Sequence, residues 1–277
     1  MRIEGSPKQD ATISAPRIGA AGWAIPRQYA GEFPFSGSTL ERYARRFNAV
    51  EINSSFHRPH RRATYERWAA SVPADFAFAV KAPREITHDL RLAGAGAALD
   101  AFLAQATGLG DKLGALLFQL PPSLVFDART AGVFFKVLRK RHAGSVVCEP
   151  RHPTWFTSRA EDLLLKHRVA RVAADPAKVP AAAEPGGWPA LRYFRLHGSP
   201  RMYYSNYEPE RLADYAEQLK QLKQPKAGDA WCFFDNTTLG CAAGNALALQ
   251  ALLGKGRSRT LSASGLLNRG RGTPQRH

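Results

Sequence analysis

Seven short apolar stretches of this sequence end in side chains that could move a proton or hold an anion. Glu51 and Asn53 close the first, Lys81 the next, and Gln119, Glu149, Asp175, the pair Arg195 and His197, and Asp235 the others. Strand side chains alternate between two faces. Val50 and Ile52 share one face of their stretch and leave Glu51 and Asn53 on the other. The same parity groups Ala79 with Lys81, Leu117 with Gln119, Val147 with Glu149, and Ala173 with Asp175. It also groups Tyr193 with Arg195 and His197, and Phe233 with Asp235.

Carboxylates beside an imidazole are the groups of general acid/base catalysis, and lysine and arginine hold anions. The expected catalytic set is Glu51, Lys81, Glu149 and His197, with Glu51 or Glu149 as base and His197 as acid or electrophile. Lys81 could also be a Schiff-base amine. Trp23, Asn53, Gln119, Arg151, Trp155, Asp175, Arg195, Asp235 and Asn236 are the expected substrate-binding residues. Loops after the last two stretches, with Gly240 and Gly244 before a helix starting near Asn245, suit a phosphate cradle. The competing reading is a salt-bridged plug. A buried ion pair rarely outperforms an apolar replacement, so this many polar residues on one face argue for a ligand. The substrate expected is a phosphorylated or other anionic molecule, and the reaction a hydrolase, isomerase or lyase step. No cofactor is identified. A divalent metal on Glu51, Glu149, Asp175, His197 and Asp235 is an alternative, disfavoured because Lys81 and Arg195 already neutralise carboxylates there.

The elements that position these residues are eight apolar runs: 17–22, 49–53, 76–81, 114–120, 145–149, 168–174, 191–197 and 230–236. Their starts lie 23 to 39 residues apart, room for a helix that returns the chain to a parallel neighbour. The gaps carry helical spacing, as in Leu40, Tyr43, Ala44 and Phe47 after Ser36-Gly-Ser-Thr39. Such alternation predicts a single TIM-type (β/α)8 barrel, with some irregularity allowed, over residues 17–253. An open doubly wound sheet would carry G-x-G-x-x-G after its first strand, and this chain reads Gly19-Ala20-Ala21-Gly22-Trp23 there.

Composition sets the outer bounds. The 277 residues carry 39 Lys and Arg against 23 Asp and Glu, a formal net charge of +16. Six of the cations lie after Gly254 with no acid among them, so the tail to residue 277 is expected to be disordered, as is segment 1–16. The excess charge favours an anionic small molecule as partner. A non-catalytic nucleic-acid-binding protein is the alternative. Three cysteines without knuckle spacing point to a reducing, cytoplasmic setting. No apolar leader or spanning segment is present in the sequence, so no membrane partner is expected.

Several motifs in order then resemble a known family. They are Gly22-Trp23, Phe47-Asn-Ala-Val-Glu-Ile-Asn53 with Phe56, Phe78-Ala-Val-Lys-Ala-Pro83 with Ile86-Thr87-His88, Leu117-Phe-Gln-Leu-Pro-Pro122, Glu149-Pro-Arg-His-Pro-Thr-Trp155, Asp175, Arg195-Leu-His-Gly198, and Gly240 with Asn245-Ala246. Together they are similar to the YecE-like family, domain of unknown function 72, from about residue 17 to 253. The resemblance implies a TIM barrel and no particular reaction. The chain departs from the family at His57, commonly Tyr, and at Asp235, where a second Asn is common.

A tail that packs on nothing should be dispensable for stability. Deleting residues 254–277 is expected to leave the melting temperature within about 2 °C of the full chain. A loss of several degrees would show that the tail packs on the rest.

Overall fold

The computed structural model of the chain describes residues 15–221 and 229–254. The tail after Gly254 lies outside the described residues, as does the amino-terminal segment up to residue 14, so the disorder expected of them is not addressed by the structure.

The expected runs all form strands: β1 (Arg17–Ala20), β2 (Ala49–Ile52), β3 (Ala77–Lys81), β4 (Leu113–Gln119) and β5 (Val146–Glu149) come first. The sixth run is split at Val172 into β6 (Val169–Arg171) and β7 (Ala173–Asp175). A two-residue strand β8 (Gly186–Gly187) follows, then β9 (Leu191–Leu196) and β10 (Asp229–Phe234). Helices α1 (Thr39–Ala44), α2 (Arg62–Ala70), α3 (Gly96–Ala106), α4 (Ala128–Arg141), α5 (Ser158–Lys166), α6 (Pro209–Gln221) and α7 (Cys241–Gly254) fill the gaps. A capping box opens α1: Ser38 Oγ accepts from the Glu41 N–H at 3.3 Å while Glu41 Oε2 accepts from the Ser38 N–H at 2.6 Å. Asp127 caps α4 through the Thr130 N–H at 2.7 Å.

Alternation fails once. Between β7 and β9 there is no α-helix, only a 3-10 turn (Pro180–Ala183) and β8, which runs antiparallel to β6. Pro176, Pro180, Pro185 and Pro189 remove donors and fix φ too often for a helix to propagate.

The strands form two sheets, β1-β10-β9-β7 and β2-β3-β4-β5-β6-β8, parallel throughout apart from β6–β8. They meet at two seams. Ala21 bridges Glu51 in parallel, with the Gly22 N–H donating to the Glu51 carbonyl at 2.8 Å. At the other seam the chain itself passes from β6 to β7 through Val172, whose N–H donates to the Cys148 carbonyl at 2.9 Å.

Two apolar clusters result. The larger packs Phe78, Leu116, Phe118, Phe194 and Phe234 of the strands against helix residues such as Phe102, Phe134 and Leu138. The smaller is made of strand residues and gathers Ala49, Ala79, Ala115 and Leu117 with the bulky Tyr193, Trp231 and Phe233. Small residues on β2–β4 make room for large ones on β9 and β10. Gly114 is the extreme case, since a Cβ there would run into the Trp231 ring.

Gly114→Ala is therefore expected to cost about 1–3 kcal/mol by overpacking. Gly132→Ala in α4 meets only ordinary contact with Leu163 at 3.6 Å. That change should be neutral or add up to about 1 kcal/mol through helix propensity. Urea midpoints of the two variants check the contrast, and equal midpoints would contradict it.

Candidate functional site

Arg195 of β9 is fully buried and holds three carboxylates at once. Its Nε lies 3.0 Å from Glu51 Oε2, and its Nη2 2.7 Å from Glu51 Oε1. Nη1 donates to Glu149 Oε2 at 2.5 Å and Nη2 to Asp235 Oδ2 at 2.9 Å. Strand register makes this possible. Arg195 pairs with Phe233 on one side and Ala174 on the other, Gln119 pairs with Glu149, and Glu51 with Ala79.

A second tier closes the network. The Tyr193 hydroxyl donates to Glu51 Oε2 at 2.7 Å, and Gln119 Nε2 to Glu149 Oε2 at 3.0 Å. His197, nearly sealed, lies with Nε2 3.2 Å from Glu149 Oε1 and Nδ1 3.1 Å from Asp235 Oδ2. Arg151 Nε donates to Glu149 Oε1 at 3.1 Å, and Asn53 Nδ2 to Asp235 Oδ1 at 3.3 Å. Lys81 stands apart: its Nζ lies 4.2 Å over the Phe56 ring, and among the described residues it makes no hydrogen bond or ion pair.

The charges set each other's protonation. Burial pushes the Glu149 carboxyl up, but Arg195, then Arg151 and His197, outweigh it and hold it well below the usual range. Asp235 is likewise held low by Arg195 and His197 against its burial. Burial pushes the His197 imidazole down, yet Glu149 and the hydrogen bonds to both carboxylates leave it raised. Burial, reinforced by Arg195 and only partly offset by Glu51, Glu149 and Asp235, lowers the Lys81 ammonium to about 8.

Eight expected residues thus join one network: Glu51, Asn53, Gln119, Glu149, Arg151, Arg195, His197 and Asp235. The charge of Lys81 is felt at the same site. Glu51 needs correction in role. Both its oxygens are taken by Arg195 and Tyr193 and it is wholly buried, so it anchors Arg195 and is not placed to act as a base.

Four residues fall elsewhere. Asp175 faces the helix layer, where Oδ2 accepts from the Tyr215 hydroxyl at 2.8 Å. Ala170 and Val172 face the smaller cluster instead, so the parity of the sixth run is the reverse of that expected. That run sets Val and Ala on both faces, so its apolar residues do not distinguish the two. Trp155 is core, its Nε1 donating to the Leu124 carbonyl at 2.9 Å. Trp23 packs edge-on to Trp68 at 5.0 Å. Asn236 Nδ2 donates to the Ser205 carbonyl and to Asn245 Oδ1, both at 2.8 Å, and fastens a loop to α7. The expected phosphate cradle is likewise packing: α7 begins at Cys241, and a Cβ on Gly244 would enter the Tyr29 ring.

Two residues were missed as site members. Tyr193 shares the parity of Arg195 and was open to the same reasoning. Tyr203, in a loop at φ 70°, lies edge-on 5.6 Å from His197 with its hydroxyl 3.4 Å from Arg151, and no sequence pattern marks it. The carboxylate oxygens are turned to Arg195 and His197, and among the described residues no group of three His, Cys, Asp or Glu is arranged to hold a metal ion.

The raised imidazole gives a pH signature. A histidine whose folded pKa exceeds its unfolded value of roughly 6.5 contributes stability that is complete below that value and fades as pH rises through the folded one. Glu149 and Asp235 act oppositely, losing their contribution only in acid. The stability gap between the protein and His197→Gln is expected to be widest near pH 6 and to shrink toward pH 9. It should stay within about 1 kcal/mol at neutrality. Urea unfolding across that range checks it, and parallel curves would refute it.

The architecture and motifs can be set against known proteins. A sequence model for the family described as "Protein of unknown function DUF72" matches residues 17–267, running past the expected boundary at 253. UPF0759 protein YunF of Bacillus subtilis is 25% identical over 267 residues, covering 85% of this chain and 94% of that protein. UPF0759 protein YecE of Escherichia coli K12 is 28% identical over 171 residues, 60% of this chain and 61% of that one. A crystal structure of a DUF72 family protein from Enterococcus faecalis superposes with a TM-score of 0.72 at 20% identity, covering 92% of this chain and 99% of that one. One from Thermotoga maritima gives 0.71 at 24%, covering 87% and 99%. The fold is thus shared at low identity, and with the family match spanning most of its length the chain belongs to the DUF72 family.

Proposed function

We propose that the chain is a (β/α)8-barrel enzyme with an acid/base site at the carboxyl ends of its strands, acting on a phosphorylated or other anionic substrate. The two seams between the sheets and the contact of β4 with β10 through Gly114 and Trp231 support the barrel. The position of the charged network at strand ends accords with where such barrels carry their chemistry.

Lys81 carries the reading. A plug built for stability would pair every buried charge, because an unpaired one is costly. Arg195 and Arg151 are paired, whereas Lys81 is 8% exposed and has no carboxylate within ion-pair distance among the described residues. A cation kept in that state is explained by an anion that arrives with the substrate. Lys81 and Arg151 would clamp it, and Arg195, fixed by Glu51, would set the field. The His197 imidazolium would donate a proton to a substrate oxygen, and the ionised Glu149 and Asp235 would hold the ring and favour its reprotonation from water.

The lowered ammonium costs stability in full below about pH 8 and releases that cost as pH rises toward the unfolded value. Lys81→Met is expected to raise stability by about 1–3 kcal/mol at pH 7, a gain that fades by pH 10. In the unaltered protein, inorganic phosphate and sugar phosphates should raise the melting temperature, and in Lys81→Met they should not. An unchanged shift in the variant, or none in either protein, would overturn the proposal. Salt-sensitive oligonucleotide binding without turnover would favour the nucleic-acid alternative.

A further inference from the structure

Lys81 is the last residue of β3, and its backbone is held firmly. Ser55 Oγ donates to its carbonyl at 2.6 Å, and the following Ala82 N–H donates to the Leu117 carbonyl at 2.8 Å. The side chain lies over Phe56, whose ring is flanked edge-on by His57 at 4.8 Å and His88 at 5.0 Å. The other buried cations are engaged otherwise: Arg195 by three carboxylates, and Arg171 by Glu161 at 3.2 Å. Polar atoms sealed without a partner include Asn53 Oδ1 but not Lys81 Nζ, so the amine keeps some contact with solvent. An apolar ring beneath the amine, a guanidinium nearby and no hydrogen-bonding partner make up the setting in which lysine acts as a nucleophile.

We infer that Lys81 Nζ forms an imine with an aldehyde or ketone carbonyl of the anionic substrate. The inference rests on the proposed anion site, in which Arg151 then holds the anion directly and Lys81 contributes only the charge of its iminium, and it names the substrate class as a carbonyl compound bearing a phosphate or carboxylate. The nitrogen lone pair makes the C–N bond while the carbonyl π pair moves to oxygen. That oxygen takes one proton from the nitrogen and a second from the His197 imidazolium. It leaves as water, and the remaining nitrogen proton stays on the iminium. The iminium carries the same single charge as the ammonium it replaces, and the proton that this ammonium first releases to water is matched by one that recharges His197. It withdraws electrons from the neighbouring carbon, which suits lyase or isomerase chemistry. The amine is available for this. At a value of about 8, roughly a tenth is unprotonated at pH 7, against well under a thousandth for an ordinary lysine.

The test is borohydride trapping of the full chain with pyridoxal 5′-phosphate as the anionic aldehyde, read by peptide mass spectrometry. One reduced adduct is expected at Lys81, forming at least tenfold faster than at any other lysine. Its rate should rise with a midpoint near pH 8 and be suppressed by inorganic phosphate. Lys81→Arg should abolish it, and His197→Gln should slow it in protein that remains folded. Adducts spread evenly over the lysines, or a Lys81 rate that follows an ordinary lysine's pH dependence, would overturn the imine. If phosphate still raises the melting temperature in that case, the anion site stands without it. If phosphate has no effect either, both readings fall.

Discussion

One guanidinium organises the polar layer. Arg195 is surrounded by Glu51, Glu149 and Asp235, and each of these reaches a further group: Tyr193, His197, Arg151, Gln119 or Asn53. Three carboxylates cannot share a dry interior without a cation at their centre, and a lysine could not replace it. The planar fork meets three acids in fixed directions, where an ammonium would offer a point charge. The strands are held to matching heights by this requirement as much as by their ladders. Gln119 and Glu149, paired in register, both reach the same cluster.

That layer joins the two sheets. Glu51 comes from the six-stranded sheet and Arg195 from the four-stranded one, and the backbone seam at Ala21 and Gly22 also falls on Glu51. One residue therefore ties the sheets through its side chain and its carbonyl together. Its burial and full engagement make it part of the frame, while Lys81, with no ion-pair partner among the described residues, stays outside it.

Much of this was readable from residue types. Alternation named the polar side chains at the ends of β2 to β5, β9 and β10 because each follows an apolar residue that must face the other way. In the sixth run Ala170, Arg171, Val172, Ala173 and Ala174 offer no such contrast, and Asp175 was placed on the wrong face. Tryptophans and a terminal asparagine attracted attention by type, yet Trp23, Trp155 and Asn236 serve packing and loop anchorage. Tyr203 had no periodicity to betray it, since its place depends on a left-handed turn after Gly198 and on the Tyr203 N–H meeting the His197 carbonyl at 2.5 Å. The prolines between β7 and β9 went unread, and the crossover they interrupt is the one that lacks its helix.

The aromatic filling below the charged layer has a consequence of its own. Trp231 fills the room that Gly114 leaves, stacks on Tyr193 at 6.1 Å and is covered from the strand-start side by the Arg17 guanidinium at 5.4 Å. Arg17 is itself tethered to the Asp75 carbonyl at 2.9 Å. Stacked rings thus lie beneath the charged layer on that side. In the proposed enzyme, substrate and product would then share one doorway, and a tightly held product would be its own inhibitor.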